Sequence, residues 1–567
     1  MESIPYQEHD ECGTSPPKCY CRWGGRPGRR QPSIVNVNTT IDIGTNYLST
    51  AFAKCRAALF FWIWAVVSSY LLGKRNRMSA KLSRGLGMPG LVAAGVSSMV
   101  GASIYIVPFM VQKNIPGIGG LVLPAFVLAS VPALLAALAY AALSSAMPRA
   151  GGSYVFVSRT LHPFWGFIAS FSQWFGLSVV IGVVAYLSIP FLGTVLRLAG
   201  QSAAADILLS GTPRLVASLV LLWLFVGMNL LGLRTLQAGM VAMVALTFAL
   251  ASIVLVAGLV YTQADFLAAV VNTAASGTDA PLPAPAGLPE FLQAAALLFA
   301  SYIGFDAIAQ AGGEARDPAR SLPRATLLTF GLVAVFYWLF TAAVYRIIPW
   351  TYMYRASLAG DVSAPSLLAY VISPVWTALL SLGAALALVK DLPAMLLSVS
   401  RLVFAWARDE LFPMALQRVD RRTGSPNAAI LFSAGISTLG ILGSHYAGDI
   451  FLGIDIMVVS MQFNFLLICV ALLRIGRRPA LAAAVTVLRH PRQRALVGIA
   501  GALSLAAFMA FGISKDLSTA GQPWYFHPTL AWTAVMSTAG LLFAVAWRRL
   551  QSRPPQQRPD FTRLPEE

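Results

Sequence analysis

The chain of 567 residues has few charged side chains, since Asp, Glu, Lys and Arg make up only 11% of it. Soluble globular proteins have about 25%, so this scarcity excludes a water-soluble enzyme, a disordered protein and a nucleic-acid-binding protein. Cysteine is scarce too. Four of the five cysteines precede residue 60, and none has a metal-ligand spacing with histidine. The sequence therefore predicts no disulfide framework, no bound metal and no cofactor.

Two further absences concern catalysis and energy supply. The five histidines all lie away from the middle of the apolar segments, which argues against an enzyme that works inside a membrane. The chain also has no phosphate-binding P-loop, so nothing indicates that ATP drives the protein. We therefore expect that this protein is not an enzyme.

Apolar residues dominate instead, with 57% hydrophobic residues and a mean hydropathy of +0.68. Long apolar runs separated by short basic loops are typical of a multi-pass α-helical membrane protein. The runs are too long and too uniform for outer-membrane strands, which alternate polar and apolar residues. Most of the net charge of +18 lies in the loops, so it does not indicate a nucleic-acid partner.

Twelve segments are long enough to cross a bilayer, and their ends are approximate. We place them near 88–111, 119–146, 164–194, 214–232, 238–261, 289–311, 326–348, 368–400, 428–444, 447–473, 495–513 and 529–547. The sequence thus predicts a polar, disordered extension over 1–87, a membrane body over 88–547 and a tail over 548–567.

The extension contains one short apolar run, residues 57–73, with basic residues on both sides. Three interpretations compete for it: an extra span, a helix lying at the membrane interface, or an artefact of a start codon placed too early. In the third case Met78 or Met88 is the true start. We favour the artefact or the interfacial helix over the extra span.

Arginine is concentrated in alternate loops, for example within residues 316–324, 408–422 and 474–494. The positive-inside rule assigns these loops, and both ends of the twelve-span body, to the cytoplasm. We therefore predict a multi-pass protein of the cytoplasmic (inner) membrane. On the opposite side, the Pro/Gly/Ala-rich stretch 263–288 separates the first five spans from the rest and is typical of a flexible connector.

The first and sixth spans are interrupted by small residues. Gly95, Gly101 and Pro108 lie within the first, and Gly304 lies in the middle of the sixth, followed by Asp306. A single glycine cluster is more often a packing face. Paired interruptions at the start of two five-span halves instead indicate a transporter site built on inverted repeats, because an opened helix offers backbone groups to a ligand.

Four motifs in this order resemble the amino acid–polyamine–organocation (APC) superfamily of permeases. They are VGASIY at 100–105, MPRAGGSY at 147–154, GFDAIA at 304–309 with Glu314 and Asp317-Pro318 beyond it, and the weaker SRLVFAWARDELFP at 400–413. The resemblance implies an all-α membrane fold. Helices 1–5 and 6–10 would form two inverted repeats, two C-terminal helices would follow, and helices 1 and 6 would be unwound at mid-membrane.

The resemblance also implies a binding site for a small amino acid or amine. Backbone N–H groups near Gly101, Ala102, Ser103 and Ile104, with Ser98 beside them, would bind the α-carboxylate. The carbonyls of Ala300, Ser301 and Tyr302 would bind the α-amine, and Gly304 would permit the unwinding. The chain departs from the family at Ser103, which replaces a second glycine, and in the fifth span, which has no lysine. A coupling mode that uses a helix-five amine is therefore in doubt.

Three charged residues are candidates for coupling or gating: Asp306, Lys390 and Asp391. A charge inside the hydrocarbon costs at least about 2.5–3.5 kcal/mol, which favours a functional role. The alternative is that the eighth span ends at Val389 and that Lys390 and Asp391 meet water. Adjacent helical residues diverge by about 100°, so at most one would face the site unless Pro393 distorts the turn.

The sequence thus predicts a secondary transporter of amino acids or related amines, coupled to protons or sodium or working by exchange. The alternative function is an amine-binding, transporter-like receptor without net flux. Substrate identity and oligomeric state are not encoded in any readable pattern. Gln173 and Trp174 are candidate pocket residues of the third span, although their direction is open. The expected partners are a small molecule and the lipid bilayer, with no nucleic acid.

Overall fold

The computed structural model describes residues 82, 84–101, 103–272, 281–360, 362–447, 451–518 and 523–565. The extension up to residue 81, with its apolar run 57–73, lies outside the described residues, and so does Ala102. Within the described residues the chain is helical, with two isolated β-bridges, Leu86 with Ala315 and Ala150 with Ala311, as its only β pairing.

Twelve helical segments have the length and composition to cross a membrane, so the predicted all-α, twelve-span architecture is confirmed. They are Met88–Asn114, Gly119–Ala146, Pro163–Leu198, Gly211–Leu230, Thr235–Val260, Leu288–Gln310, Pro318–Ile347, Pro374–Arg408, Asn427–Tyr446, Leu452–Arg477, Pro491–Ser518 and Pro528–Gln551. Below they are numbered as spans one to twelve. The inverted-repeat relation between the two halves stays a prediction.

Shorter helices occupy several connections between the spans. They are Gly152–Thr160, Ser202–Leu209, Gln263–Asn272, Trp350–Ala359, Ala364–Leu368 and Pro479–Ala484. The helix Gln263–Asn272 lies within the stretch 263–288 that the sequence predicted to be a flexible connector, so that prediction is wrong for this part. Farther along the same stretch, the Ala286 N–H donates to the Gly117 carbonyl at 3.0 Å, which joins the stretch to the connection between spans one and two.

Three spans consist of two helices each. Span one contains Met88–Met99 and Ser103–Asn114, and span eight contains Pro374–Val389 and Asp391–Arg408. Span six contains Leu288–Leu298, a 3₁₀ turn over Phe299–Tyr302 and the short helix Ala307–Gln310. The other nine candidate spans have no comparable division among the described residues.

Span three is the central element of the bundle and packs against spans four, eight, nine, ten and twelve. Its inner face is lined by buried aromatic side chains such as Phe167 and Phe171, which contact Trp406 of span eight at ring-centroid distances of 5.3 and 5.6 Å. Spans eleven and twelve lie at the periphery and expose large apolar residues, as expected for helices that face lipid. Of the three spans that consist of two helices, span eight is the one that packs along span three.

Candidate substrate site at the interrupted spans

The first interruption exposes backbone carbonyls in the interior of the protein. After Met99 the backbone leaves helical geometry, with Val100 at φ −85° and ψ 81°. Carbonyls at the end of a helix lose their intrahelical partners and need other donors. The Met99 carbonyl accepts a hydrogen bond from the Tyr337 hydroxyl of span seven at 2.5 Å, and the Val100 carbonyl accepts one from the Lys390 ammonium.

The second interruption lies directly against the first. Gly304 has φ +130°, a conformation that residues with a side chain rarely adopt. A Cβ atom at Gly304 would lie 2.2 Å from the Ser98 carbonyl oxygen and 2.8 Å from the Met99 nitrogen. Glycine is thus required both by the backbone angle and by the close approach. The structure brings Ser98 and Gly304, two predicted site residues about 200 positions apart, into direct contact.

Lys390 lies at the junction between the two helices of span eight and is completely buried. Pro393 explains the junction, because proline has no N–H to donate to the Val389 carbonyl four residues earlier. The Lys390 ammonium donates to the Ser97 carbonyl at 3.2 Å, to the Val100 carbonyl and to Asp391 Oδ1 at 3.0 Å. A fixed positive charge therefore binds the carbonyl end of the first helix of span one, where the helix dipole is negative.

Asp391 is also buried, with 3% of its surface exposed. A Cβ atom at Gly101 would lie 2.4 Å from Asp391 Oδ2, so this carboxylate is packed against the interruption of span one. The alternative in which Lys390 and Asp391 meet water is therefore wrong. Both residues face the interruption, which is the exception that the expectation made for a turn distorted by Pro393.

The predicted amine ligands of span six have different surroundings. Tyr302 is buried, donates its hydroxyl to the Phe126 carbonyl at 3.2 Å and packs against Phe330 with a ring-centroid distance of 5.7 Å. The Ala300 carbonyl already accepts the Ile303 N–H at 3.2 Å, which occupies one of its two lone pairs. The buried Ser301 hydroxyl has no hydrogen-bond partner in the described part of the chain.

Asp306 belongs to a chain of buried polar side chains that the sequence did not predict. Its carboxylate accepts a hydrogen bond from Gln173 of span three, whose oxygen accepts one from Gln310 at 3.4 Å. Gln310 also donates to the Ser153 hydroxyl at 2.6 Å, and the Tyr140 hydroxyl lies 2.6 Å from the same atom. Asn464 of span ten donates to the Tyr140 hydroxyl at 2.7 Å and ends the chain.

This polar chain fixes the second half of span six to spans two, three and ten. All six of its side chains are fully buried, and its hydrogen bonds join side chains of five different helices. Asp306 Oδ1 and Asn464 Oδ1 have no hydrogen-bond partner in the described part of the chain. The direction of Gln173 is now known, since it faces Asp306. Trp174 instead donates its ring N–H to the Ser433 hydroxyl of span nine at 3.0 Å, away from the interruptions.

Two buried ion pairs lie at the end of the bundle that carries the loops 316–324, 408–422 and 474–494, which is called the arginine-rich end below. Arg401 Nη2 contacts Glu314 Oε1 at 2.5 Å, and Arg159 binds both oxygens of Asp409 at 2.6 and 2.9 Å. Arg401 was predicted to lie just past the end of its span, which the sequence placed at residue 400. The helix instead continues to Arg408, because a paired guanidinium can be buried.

The C-terminal segment folds back onto this end. The Arg159 Nε–H donates to the Arg563 carbonyl at 3.1 Å, and the Arg149 Nε–H donates to the Pro565 carbonyl at 2.8 Å. Arg553 also forms an ion pair with Glu410, close to the end of span eight. The segment after the last span is therefore part of the folded body rather than a free tail.

The family profile described as amino acid permease matches residues 86–535, most of the chain. The chain belongs to the amino acid permease family. This result confirms the resemblance to the APC superfamily that the four motifs indicated, and the interruptions at Gly101 and Gly304 both lie inside the matched region.

Individual relatives agree with the family. An uncharacterized transporter of Mycobacterium tuberculosis is 31% identical over 353 residues, which cover 62% of this chain and 72% of the relative. The branched-chain amino acid permease BcaP of Bacillus subtilis is 26% identical over 371 residues, which cover 64% of this chain and 75% of the permease. Human cationic amino acid transporter 4 is 27% identical over 63% of this chain and 54% of its own length.

Proposed function

We propose that the protein is a secondary active transporter that carries an amino acid or a related amine across the membrane by alternating access. The family and the named relatives support an amino acid transporter. The observation that carries the proposal is the contact between the two interrupted spans, where Gly304 lies against the Ser98 carbonyl. Helix ends that meet inside a bundle offer both positive and negative dipole ends to a zwitterionic ligand.

The substrate binds between these helix ends in our proposal. Its α-carboxylate accepts hydrogen bonds from the backbone N–H groups at the start of the second helix of span one, at Ser103 and Ile104. The Gly101 N–H donates to the Met99 carbonyl at 3.1 Å instead. Its α-amine donates to carbonyls of the 3₁₀ turn in span six, with the unpaired Ser301 hydroxyl beside them. The positive end of a helix dipole stabilises a nearby anion by typically 0.3–1 kcal/mol, and more where water is excluded.

We further propose that Lys390 serves as a tethered cation. The carbonyls of Ser97 and Val100 and the Asp391 carboxylate form an oxygen-rich cluster of the kind that binds a small hard cation. The Lys390 ammonium donates to all three of these groups. A sodium ion would have to displace that ammonium, so transport is expected to run without sodium, either coupled to protons or as exchange.

Asp306 has a positioning role in this proposal. Through Gln173 and Gln310 it is linked to span three and to the loop that follows span two. The carboxamides of glutamine hold hydrogen bonds but do not ionise in the physiological range, so the chain is better suited to orienting span six than to carrying protons. We also propose that the arginine-rich end faces the cytoplasm, as the positive-inside rule requires.

Uptake by proteoliposomes that contain the purified full-length chain tests the proposal. Radiolabelled neutral, acidic and basic amino acids and polyamines are offered in turn. Each substrate is tested with an inward proton gradient, with a sodium gradient and with unlabelled substrate inside. We expect saturable, stereoselective uptake of one class that does not change when sodium is replaced by choline.

The outcomes separate the alternatives. Uptake only into preloaded vesicles identifies an exchanger, and uptake that requires the proton gradient identifies a symporter. Uptake that depends on sodium contradicts the role assigned to Lys390 while leaving the transporter intact. Binding of a substrate without flux under every gradient contradicts the transporter and supports a receptor.

A further inference from the structure

An open cavity of about 660 Å³ lies at the arginine-rich end, away from the interruptions. One wall comes from the segment that leads into span one, and the other comes from the start of span five. Its lining includes Arg84, Pro89, Gln237, Ala238, Val241 and Arg316. The cavity combines two guanidinium groups with an apolar wall, and neither the family match nor the proposed transport site accounts for it.

The two arginines are held on one side of the cavity by backbone hydrogen bonds. The Leu86 N–H donates to the Glu314 carbonyl at 2.9 Å, and the Arg316 N–H donates to the Leu86 carbonyl at 3.0 Å. Arg84 and Arg316 are exposed, and neither has an ion-pair partner in the part of the chain that the structure describes. Two guanidinium groups that have no such ion-pair partner, on segments joined by backbone hydrogen bonds, are suited to bind one anion together.

The opposite wall belongs to a membrane-spanning helix. Ala238 and Val241 of span five are exposed, and exposed apolar residues on a spanning helix face the hydrocarbon. Gln237 closes the inner side of the cavity, because it packs so closely on Gly90 that a Cβ atom there would lie 2.8 Å from the Gln237 Cδ. The cavity is therefore cationic at its rim and apolar along the side that continues into the bilayer.

We propose that this cavity binds one anionic phospholipid. The headgroup phosphate lies between Arg84 and Arg316, and an acyl chain follows the exposed face of span five past Val241. Basic pockets between membrane helices bind lipid headgroups of this charge, and a soluble phosphate would gain nothing from the apolar wall. The bound lipid joins the segment before span one to the segment after span six and thereby stabilises the arginine-rich end.

Native mass spectrometry of the purified full-length protein tests this binding without any transport measurement. The detergent-solubilised protein is titrated with phosphatidylglycerol and, separately, with phosphatidylcholine that has the same acyl chains. We expect the wild type to retain one phosphatidylglycerol in preference to phosphatidylcholine. The R84Q/R316Q variant is expected to lose roughly 30-fold in apparent affinity, about 2 kcal/mol, since an arginine near an anionic surface contributes about 1 kcal/mol.

Two further variants make the result specific. R320Q/R324Q removes the same charge from exposed arginines just beyond Arg316 that do not line the cavity, and it is expected to bind like the wild type. A238W keeps both cavity arginines but fills the apolar wall, so it is expected to lose the lipid even if R84Q/R316Q does not fold. Equal retention by all variants overturns the proposal. Displacement of the lipid by millimolar inorganic phosphate overturns it as well, because the site would then be one for a soluble anion.

Discussion

Replacing Gly304 by alanine is expected to separate spans one and six and to abolish transport. The new Cβ atom would lie 2.2 Å from the Ser98 carbonyl oxygen, where ordinary contact begins at 3.4 Å, so the spans must move apart by roughly 1 Å. An alanine at φ +130° adds backbone strain of about 1–3 kcal/mol, and overpacking adds about 1–3 kcal/mol. The total of about 2–6 kcal/mol is a large fraction of the stability of a protein.

We expect the initial rate of uptake by Gly304→Ala to fall at least tenfold, together with a lower melting temperature. A displacement that costs about 1.4 kcal/mol of substrate binding is sufficient for that factor. The assay is proteoliposome uptake below saturation, normalised to the amount of inserted protein, with the thermal unfolding of the same preparation measured in parallel.

Gly331→Ala is the matched control. Gly331 lies in the helix of span seven, and a Cβ atom added there meets no atom within 4 Å. This variant is expected to transport like the wild type and to melt at the same or a slightly higher temperature, because alanine is favoured over glycine in a helix. If Gly304→Ala transports and melts like Gly331→Ala, the assignment of the two interruptions to one site is refuted.

Three other substitutions test the interruption of span one and the buried charge pairs of span eight. Gly101→Ala places a Cβ atom 2.4 Å from Asp391 Oδ2, so the rate of uptake is expected to fall. The control Gly331→Ala, where the new Cβ atom meets nothing, is expected to leave uptake unchanged. Unchanged uptake by Gly101→Ala would contradict a site at this interruption. Lys390→Met leaves a buried carboxylate unpaired and is expected to cost about 3–5 kcal/mol in unfolding free energy, part of which is regained with Asp391→Asn. A loss in the double variant equal to the sum of the two single losses would show that the pair is not coupled. Glu314→Gln leaves Arg401 buried without its counter-ion, so we expect the melting temperature to drop. Adding Arg401→Met to this variant is expected to restore part of the loss.

The sequence predicted the spans well because burial in a membrane depends on the length of an apolar run, which can be read locally. The largest differences in their bounds occur where charged turns extend the helices beyond the apolar run. Span seven begins at Pro318 instead of residue 326, and span eight ends at Arg408 instead of residue 400. Hydropathy alone does not register such turns, because their charges face water or a buried partner.

The interruptions were recognisable for a different reason. Glycine at mid-depth is costly in a helix, so Gly101 and Gly304 are visible in one sequence. The polar side chains that complete the region cannot be recognised in the sequence in this way. Ser153, Tyr140 and Asn464 are ordinary polar residues in separate helices, and no local pattern indicates that their side chains meet. Lys390 and Asp391 could be nominated from their charge, but their burial depends on Pro393 and on carbonyls nearly 300 positions away.

The folded-back C-terminal segment has a consequence for the order in which the protein is made. The hydrogen bonds that it forms with Arg149 and Arg159 join residues 416 and 404 positions apart. At about 5–20 residues per second, ribosomes need roughly 20–80 s to cover such a distance. During that interval the loop after span two is already at the membrane surface while the carbonyls that its arginines bind are not yet synthesised. The arginine-rich end therefore cannot reach its final structure before the C-terminal segment has been synthesised.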